Sequence, residues 1–324
     1  MKTLRIFSWL TVISLILSIV PMAHSQEKYP GRPIHLTVPM AAGGGTDRVA
    51  RAFAEALKNF LPQPVLVENV AGAGSVTGMS KVHTSKPDGY TLGLASGYMI
   101  STALQGMTKY PADDFTLIAA ISQDTFTFSV PAESKYKTFK EIVEASKADP
   151  DKITLANAGT GALTHLASVA MNQSTGAKFR IVPFVGGAKE LTALLGGHVD
   201  AGIFSMSEVL GQTGPGGKIR NLAVLSQKRT PKLPEVPTLS ELGIKGAIPE
   251  GPWQGLCAPK GLPDDVRSVL VEAVGKAAKD PTWRDFLDKF GYTDRFMTGK
   301  EFEDYFRTDT QMLESLLKAT GGIK

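Results

Sequence analysis

The chain has 324 residues, 43% of them hydrophobic and 20% charged. This length can bury the cores of two ordinary domains, and the composition excludes a disordered acidic or basic protein. The single cysteine excludes an intramolecular disulfide and a cysteine-based zinc site. The formal charge of +4 becomes about +2 if Lys2 and Arg5 are removed with the leader described next, which is too balanced for a nucleic-acid-binding protein.

Residues 1–25 have the order of a secretory signal peptide. Two basic residues precede an apolar run at residues 6–20, Pro21 ends the run, and Ala23 and Ser25 supply the small residues of a cleavage site. This order predicts cleavage before Gln26 and export. A retained membrane anchor is the alternative, because the uncharged run is nearly long enough to span a bilayer. An exported chain without disulfides indicates a bacterial periplasm.

Beyond the leader, short apolar runs alternate with stretches of helical periodicity. Strands are predicted at residues 34–38, 64–68, 91–95, 153–155, 179–183, 199–204 and 219–225, with further apolar runs at 117–121 and 126–130. Helices are predicted at residues 49–60, 75–83, 138–148, 163–174, 188–195, 263–278, 281–290 and 299–319. This alternation predicts parallel α/β structure. Four prolines make residues 230–251 an irregular connection that we expect to cross between two domains.

Three of the predicted strand-to-helix connections are rich in glycine, at residues 40–45, 158–161 and 186–187. The first turn of a helix has unpaired N–H groups and positive potential, and glycine lets an anion approach the backbone closely. For a single loop, a tight turn without a ligand explains the glycines as well. Three such loops at one sheet edge favour an anion receptor. Thr46 and Asp47 are expected to provide the N-cap of the first helix, and Asp47 has a second possible role in orienting water or reading a ligand amine or hydroxyl.

Nucleotide-binding and catalytic motifs are missing. The glycines at 72, 74 and 78 miss the dinucleotide-binding spacing by one residue, and the chain has no phosphate-binding loop motif. It has no Gly-x-Ser-x-Gly motif, and its histidines lack metal-ligand spacing. Among the histidines, His165 is the candidate for a ligand contact, because it follows the second glycine loop in the first turn of a helix. Cys257, in an apolar run, is expected to be an inert core thiol.

The order of the motifs resembles the substrate-binding receptors of tripartite tricarboxylate transporters, also called the Bug family. The resemblance covers essentially the whole chain after the leader. It is carried by YPGRPI at 29–34, VPMAAGGGTD at 38–47, VENVAGAG at 67–74, KPDGYTL at 86–92, AGTG at 158–161, VPF at 182–184, GG at 186–187, LLGGHVDAG at 194–202, PEVPTL at 234–239 and APKGLP at 258–263.

The resemblance implies a two-lobed α/β periplasmic binding protein of type II, with a ligand cleft between the lobes. Residues 26–128 and 247–324 would form lobe 1, and residues 129–246 lobe 2. The expected ligand is an organic carboxylate, held by backbone amides and ordered waters and passed to the membrane subunits of a transporter. We expect a monomer without enzymatic activity, cofactor, metal or nucleic-acid partner. The expected ligand-binding residues are Met40, Ala41, Ala42, Gly43, Gly44, Gly45, Thr46, Asp47, Ser96, Gly159, Thr160, Gly161, Ala162, Thr164, His165, Gly186, Gly187 and Ser205.

The sequence departs from the common family pattern after residue 204. Many relatives carry an Asp-Asn pair there, whereas this chain has Ser205-Met206-Ser207-Glu208. The chain therefore lacks the aspartate that would contact the ligand at this position, and Ser205 and Glu208 are the candidates to replace it. Two other functions stay open. The receptor could present its ligand to a membrane signalling protein such as a sensor kinase, or Ser205 and His165 could form a hydrolase site if they lie within hydrogen-bond reach.

Overall fold

The computed structural model describes residues 28–246 and 248–323. The expected leader and its cleavage site before Gln26 lie outside the described residues. In the part of the chain that is described, no helix has both the length and the apolar character needed to cross a membrane.

The chain folds into eleven strands and ten α-helices within the described residues. The strands are β1 Ile34–Val38, β2 Val65–Asn69, β3 Thr91–Ser96, β4 Phe115–Gln123, β5 Phe126–Pro131, β6 Thr154–Asn157, β7 Arg180–Pro183, β8 Ala201–Ser205, β9 Ile219–Val224, β10 Trp253–Pro259 and β11 Thr293–Thr298. The helices are α1 Gly45–Leu57, α2 Val76–His83, α3 Gly97–Leu104, α4 Phe139–Ala148, α5 Leu163–Thr175, α6 Gly187–Leu195, α7 Met206–Val209, α8 Asp264–Ala277, α9 Pro281–Phe290 and α10 Gly299–Ala319.

The strands form two sheets, one for each lobe. Lobe 1 has the order β11-β4-β10-β3-β1-β2, and lobe 2 has the order β7-β6-β8-β5-β9. Both sheets are mixed, which corrects the prediction of parallel structure. Strands β1 and β6 pair in parallel with their neighbours, but β10 runs antiparallel to β3 and β4, and β5 runs antiparallel to β8 and β9. Parallel neighbours need a crossover, usually a helix, that takes the chain back to the end of the sheet where the previous strand began. Strands β5 and β10 instead enter their sheets directly from the other lobe, so they run antiparallel to their neighbours.

The chain crosses between the lobes twice, at residues 124–125 and in the long segment that precedes β10. The first crossing lies earlier than the expected boundary after residue 128. Phe126, Thr127 and Phe128 pair with β8 in the second sheet, so these three residues belong to lobe 2. Residues 124–125, between the last residue of β4 and the first of β5, are therefore the short connection between the lobes.

Each lobe has an apolar core, and the patterns that predicted the helices explain it. Val49, Phe53 and Leu57 of α1 are buried at helical spacing, and Phe53 packs edge-on against Trp283 of α9 with ring centroids 4.8 Å apart. Burial of a side chain such as Phe53 contributes roughly 2–3 kcal/mol. A second cluster extends from lobe 2 into lobe 1, where Trp253 packs edge-on against Phe302 of α10.

The central strand β10 and the edge strand β11 have no counterpart in the predicted elements. All seven residues of β10 are buried, so the strand lacks the alternation of apolar and polar residues that marks a half-buried strand. Its Cys257 is fully buried, and this burial raises the pKa of the thiol to about 12. The expectation of a thiol in the core is confirmed, and the raised pKa favours the unreactive protonated form.

Candidate ligand-binding cleft

The three glycine-rich loops follow the carboxyl ends of strands β1, β6 and β7. We call residues 40–44, after β1, loop 1; residues 158–162, after β6, loop 2; and residues 184–186, after β7, loop 3. Loop 2 contacts lobe 1 directly, because Ser101 Oγ of α3 donates a hydrogen bond of 3.1 Å to the carbonyl of Gly161. The loops therefore face a cleft between the lobes.

Asp47 holds the shape of loop 1 from inside the first turn of α1. The expectation that Asp47 helps to form the N-cap is wrong. Helix α1 begins at Gly45 with Gly44 as its N-cap, and the carbonyl of Gly44 accepts the N–H of residue 48. The buried carboxylate of Asp47 accepts hydrogen bonds from the N–H of Gly43 (2.9 Å), from Arg51 Nε (3.1 Å) and from Asn69 Nδ2 (2.9 Å). Burial alone would raise the pKa of Asp47, but these three donors together hold it below its ordinary value.

Loop 1 presents backbone donors to the cleft. The N–H of Gly43 is used by Asp47, whereas the N–H groups of Gly44 and Gly45 meet no acceptor among the described residues. First-turn amides have no intrahelical partner, so these donors are free for an external anion or for water. Residues 41–44 are exposed, so a solute can reach these N–H groups.

Loop 2 is held by side chains from the first turn of helix α5. Thr164 Oγ1 accepts from the N–H of Ala158 at 2.9 Å, and His165 Nδ1 accepts from the N–H of Gly161 at 3.3 Å. Burial lowers the pKa of His165, which favours the neutral ring that can accept this bond. Helix α5 begins after Ala162, as predicted. Gly161 has a φ of 76°, a region that glycine adopts without strain.

Loop 3 is tied to loop 2 and lined by a carboxylate of the protein itself. The N–H of Gly186 donates to the carbonyl of Ala158 at 3.0 Å. At Gly187, the first residue of α6, a Cβ atom would lie only 2.5 Å from Glu208 Oε1. The absence of a side chain at Gly187 therefore makes room for the carboxylate of Glu208. This residue belongs to α7, the helix that directly follows β8.

Ser205 and Glu208 form a capping box at the start of α7. Glu208 Oε2 accepts a hydrogen bond from the N–H of Ser205 at 3.3 Å, and the Ser205 hydroxyl faces the N–H of Glu208. Within the described part of the chain, no hydrogen bond joins Ser205 to His165. The predicted Ser96 is buried at the N-cap of α3, where the next residue, Gly97, lies against Leu163 beside loop 2.

Several cleft residues were not in the set that the sequence predicted. A Cβ atom at Gly45 would lie 3.0 Å from Tyr292 Oη, 3.8 Å from Ser207 Oγ and 3.9 Å from Arg48 Nη2. Tyr292 donates to the carbonyl of Gly45 at 3.4 Å, although the two residues are 247 positions apart. No local signal predicts this convergence, whereas the Ser-x-x-Glu spacing of the capping box is visible in the sequence.

Asp124, in the short crossing between the lobes, is bonded to Ser207, the residue of α7 that lies near Gly45. Its carboxylate accepts hydrogen bonds from the N–H of Ser207 at 3.3 Å and from the Ser207 hydroxyl. Burial raises the pKa of Asp124 to about 7, against the opposing effect of these hydrogen bonds. A buried residue of the crossing is thus bonded to the helix that bears Glu208.

The cleft has unlike charges on its two sides. On lobe 1, Arg48 lies beside Gly45, and its buried Nε has no hydrogen-bond partner among residues 28–246 and 248–323. On lobe 2, Glu208 reaches solvent, yet the surrounding walls restrict its hydration and raise its pKa, while the N–H of Ser205 and the charge of Arg48 act in the opposite direction. No salt bridge joins Arg48 to Glu208 among the described residues.

A cavity of about 240 Å³ between the lobes reaches Gly97 and Leu163, next to loop 2, and other cavities lie farther from the loops. One of about 640 Å³ is bounded by α3, residues 111–117 and α10, and all of its lining residues belong to lobe 1. A ligand in this cavity would not contact lobe 2 and would not favour closure of the lobes, so we do not assign the ligand to it. Among the described residues, no three or more His, Cys, Asp or Glu side chains are grouped so as to hold a metal ion.

Two α/β lobes, joined by two crossings and facing each other across glycine-rich loops, define a two-lobed solute-binding protein. Residues 49–321 match the family described as "Tripartite tricarboxylate transporter family receptor". The chain belongs to this family, whose members are periplasmic solute-binding receptors.

Individual relatives agree with this assignment. A "UPF0065 protein in gbd 5'region" of Cupriavidus necator is 33% identical over 96% of this chain and 94% of its own length. A TctC solute-binding protein from Polaromonas is 36% identical, with a TM-score of 0.78 over 90% of this chain and 99% of that one. Periplasmic binding protein BugD is 33% identical, with a TM-score of 0.77 over 91% and 100%.

Two further solved structures contain small carboxylates. MatC from Rhodopseudomonas palustris, with bound malate, is 26% identical, with a TM-score of 0.75 over 89% of this chain and 100% of that one. Another R. palustris protein, with adipate, is 25% identical, with a TM-score of 0.78 over 90% and 98%.

Proposed function

We propose that this receptor captures an organic carboxylate between its lobes and delivers it to the membrane subunits of a tripartite transporter. The observation that carries the proposal is the set of unused N–H groups at Gly44 and Gly45, in a loop braced by Asp47. Backbone amides at a helix start suit a carboxylate. The malate and adipate of the two related structures belong to the same chemical class.

The mechanism is capture by closure of the lobes. Residues 124–125 form a two-residue connection between β4 and β5 on which the lobes can turn. Contacts such as Ser101 with Gly161, and the salt bridge of Lys232 with Asp288 at 2.9 Å, join residues of opposite lobes. A ligand that contacts both lobes favours the closed form, because its affinity for that form is higher.

The proposal includes the route and the partner of the protein. Residues 1–25 would direct export and be cleaved before Gln26, which releases a monomeric receptor into the periplasm. The closed, loaded receptor would dock on transporter subunits. A sensor kinase could recognise the same closed form, and the ligand site would then be the same as for a transporter. The two partners are therefore distinguished by testing which membrane protein binds the loaded receptor. No hydrogen bond joins Ser205 to His165 among the described residues, so we do not propose hydrolysis.

Thermal unfolding with a panel of mono-, di- and tricarboxylates tests the proposal. A ligand that binds only the folded protein, present at 100 times its Kd, stabilises it by about 2.7 kcal/mol. For a protein of this size we expect a rise in Tm of roughly 5 °C or more with at least one carboxylate. Amines of the same chain length serve as controls. No response to any carboxylate in a broad panel would refute the receptor function proposed here.

A further inference from the structure

Glu208 is held at a defined place on the lobe 2 side of the cleft. Its carboxylate is fixed from below by the capping box with Ser205 and lies beside Gly187, where a Cβ atom would be only 2.5 Å from Oε1. The residue nevertheless remains exposed to the cleft. A fixed, accessible carboxylate in the cleft of a carboxylate receptor would repel a second carboxylate of the ligand and would attract a hydrogen-bond donor.

Close to Glu208 lies a second carboxyl group, that of Glu190. Glu190 of α6 is completely buried, and neither of its carboxyl oxygens has a hydrogen-bond partner of ordinary geometry among the described residues. Its Oε1 is 3.1 Å from the position of a Cβ on Gly202 in β8, three residues before Ser205. Burial and the nearby Glu208 raise the pKa of Glu190 to about 9, although the N–H of Ile203 acts in the opposite direction.

This second carboxyl makes the lobe 2 side unsuitable for another anion. Protonated Glu190 supplies no positive charge to neutralise Glu208, and in its ionised form it would add a like charge. On lobe 2 the described residues place no Lys or Arg within salt-bridge distance of Glu208. The cation that influences Glu208 is Arg48, which lies on the opposite lobe beside Gly45.

We propose that Arg48 and Glu208 select a ligand with two unlike ends. The carboxylate end lies at loop 1 and Arg48, and the other end carries an N–H donor, an ammonium or an amide group, that lies at Glu208. The ligand class is therefore the amino- or amidocarboxylates rather than the dicarboxylates. This inference rests on the proposed function, because it assumes that the carboxylate end binds between the lobes.

Isothermal titration calorimetry with matched ligands tests this inference on the purified protein. Unbranched chains of three to six carbons are compared in three forms, for example 6-aminohexanoate, the monoamide of adipate, and adipate itself. We expect the best amino or amide ligand to bind at least about tenfold more tightly than the dicarboxylate of the same length. The amine and amide forms show which of the two donors is preferred.

Glu208→Gln is the informative variant. It removes the charge but keeps the length of the side chain, so we expect the affinity for the amine to fall about tenfold and the gap to the dicarboxylate to narrow. Glu144→Gln is the matched control, because Glu144 is an exposed residue of α4 on the same lobe, paired with Lys147. It should leave both affinities unchanged. The comparison of ligands on the unaltered protein does not depend on how well either variant folds.

The outcomes separate the two hypotheses. A preference of the unaltered protein for dicarboxylates would overturn the inference and leave the carboxylate receptor intact. A preference for amines that survives Glu208→Gln would overturn the assignment to Glu208. If no compound of any series binds and the broad carboxylate panel also fails, the proposed function itself is refuted, and the inference with it.

Discussion

Replacement of Gly44 with leucine tests whether loop 1 contacts the ligand, because the structure allows the fold to survive this change. Gly44 has a φ of −75° and a ψ of 173°, which any residue adopts. A Cβ atom there would meet only the carbonyl oxygen of Ala41, at an ordinary contact distance of 3.5 Å. The residue is exposed, so the added side chain displaces no core atom and lies on loop 1 itself.

The expected change in stability is small because two effects offset each other. Any residue other than glycine lowers the entropy of the unfolded chain, which stabilises the protein by about 0.4–1 kcal/mol. Leucine is a poorer N-cap than glycine, which costs roughly 0.5–1 kcal/mol. The free energy of unfolding should therefore change by less than about 0.5 kcal/mol. Affinity should fall at least 100-fold, or about 2.7 kcal/mol, since the leucine side chain would occupy the space in front of the loop 1 amides.

Urea unfolding measures the first quantity, and calorimetry with the carboxylate that gives the largest thermal shift measures the second. Gly211→Leu is the control, because Gly211 also has open space around its Cβ position and lies outside the three loops. It should keep both stability and affinity. A folded Gly44→Leu protein that binds within threefold of the unaltered one would show that loop 1 does not touch the ligand.

Three further changes test the structural assignments. Asp47→Ala should cost about 2–4 kcal/mol in urea unfolding, because it leaves three donors without their acceptor. Asp47→Asn keeps one acceptor oxygen and should cost less, so equal losses would contradict the role of Asp47 as a hydrogen-bond acceptor. Because the pKa of Glu190 is raised to about 9, the folded protein binds more protons than the unfolded one between about pH 4 and 9, and its stability falls as the pH rises. The Tm of Glu190→Gln relative to the unaltered protein should therefore rise from pH 5 to pH 8, and a difference that stays constant over this range would contradict the assignment. Gly251→Ala should destabilise the protein by more than about 2 kcal/mol, because Gly251 has a φ of 146° and its Cβ would lie 2.1 Å from the carbonyl oxygen of Asp124. The control is Gly261→Ala, which has a φ of 87° but open space around the Cβ position. It should cost no more than about 1–2 kcal/mol.

Local pattern was sufficient for most of the secondary structure. The spacing of Val49, Phe53 and Leu57 predicted the buried face of α1, and residues 281–290 and 299–319 are helices with the predicted bounds. The glycine loops were also recognisable, since a turn from strand to helix needs backbone conformations such as the φ of 76° at Gly161. Signals of this kind depend on residues that are close together in the chain, so they can be recognised in the sequence.

The direction of the strands depended on information that is not local. Strand β5 was visible as an apolar run, but nothing in residues 126–130 indicates that it pairs antiparallel with β8 and β9. Its direction follows from the crossing of the chain at residues 124–125. Likewise, β10 is buried on both faces, so its sequence shows no periodicity that distinguishes a strand from a buried helix.

The sequence by itself determined the class of the protein, through the order of its motifs along the chain. It also determined the glycine-rich loops and most of the helices, because these depend on residue types at short spacings. Only the tertiary structure decided that Asp47 braces loop 1, that Tyr292 reaches Gly45, and that Glu208 lies beside Gly187. Charge balance and pKa in the cleft depend on distances between residues far apart in the chain, and on how much water the two lobes exclude. These distances exist only when both lobes are folded and placed against each other.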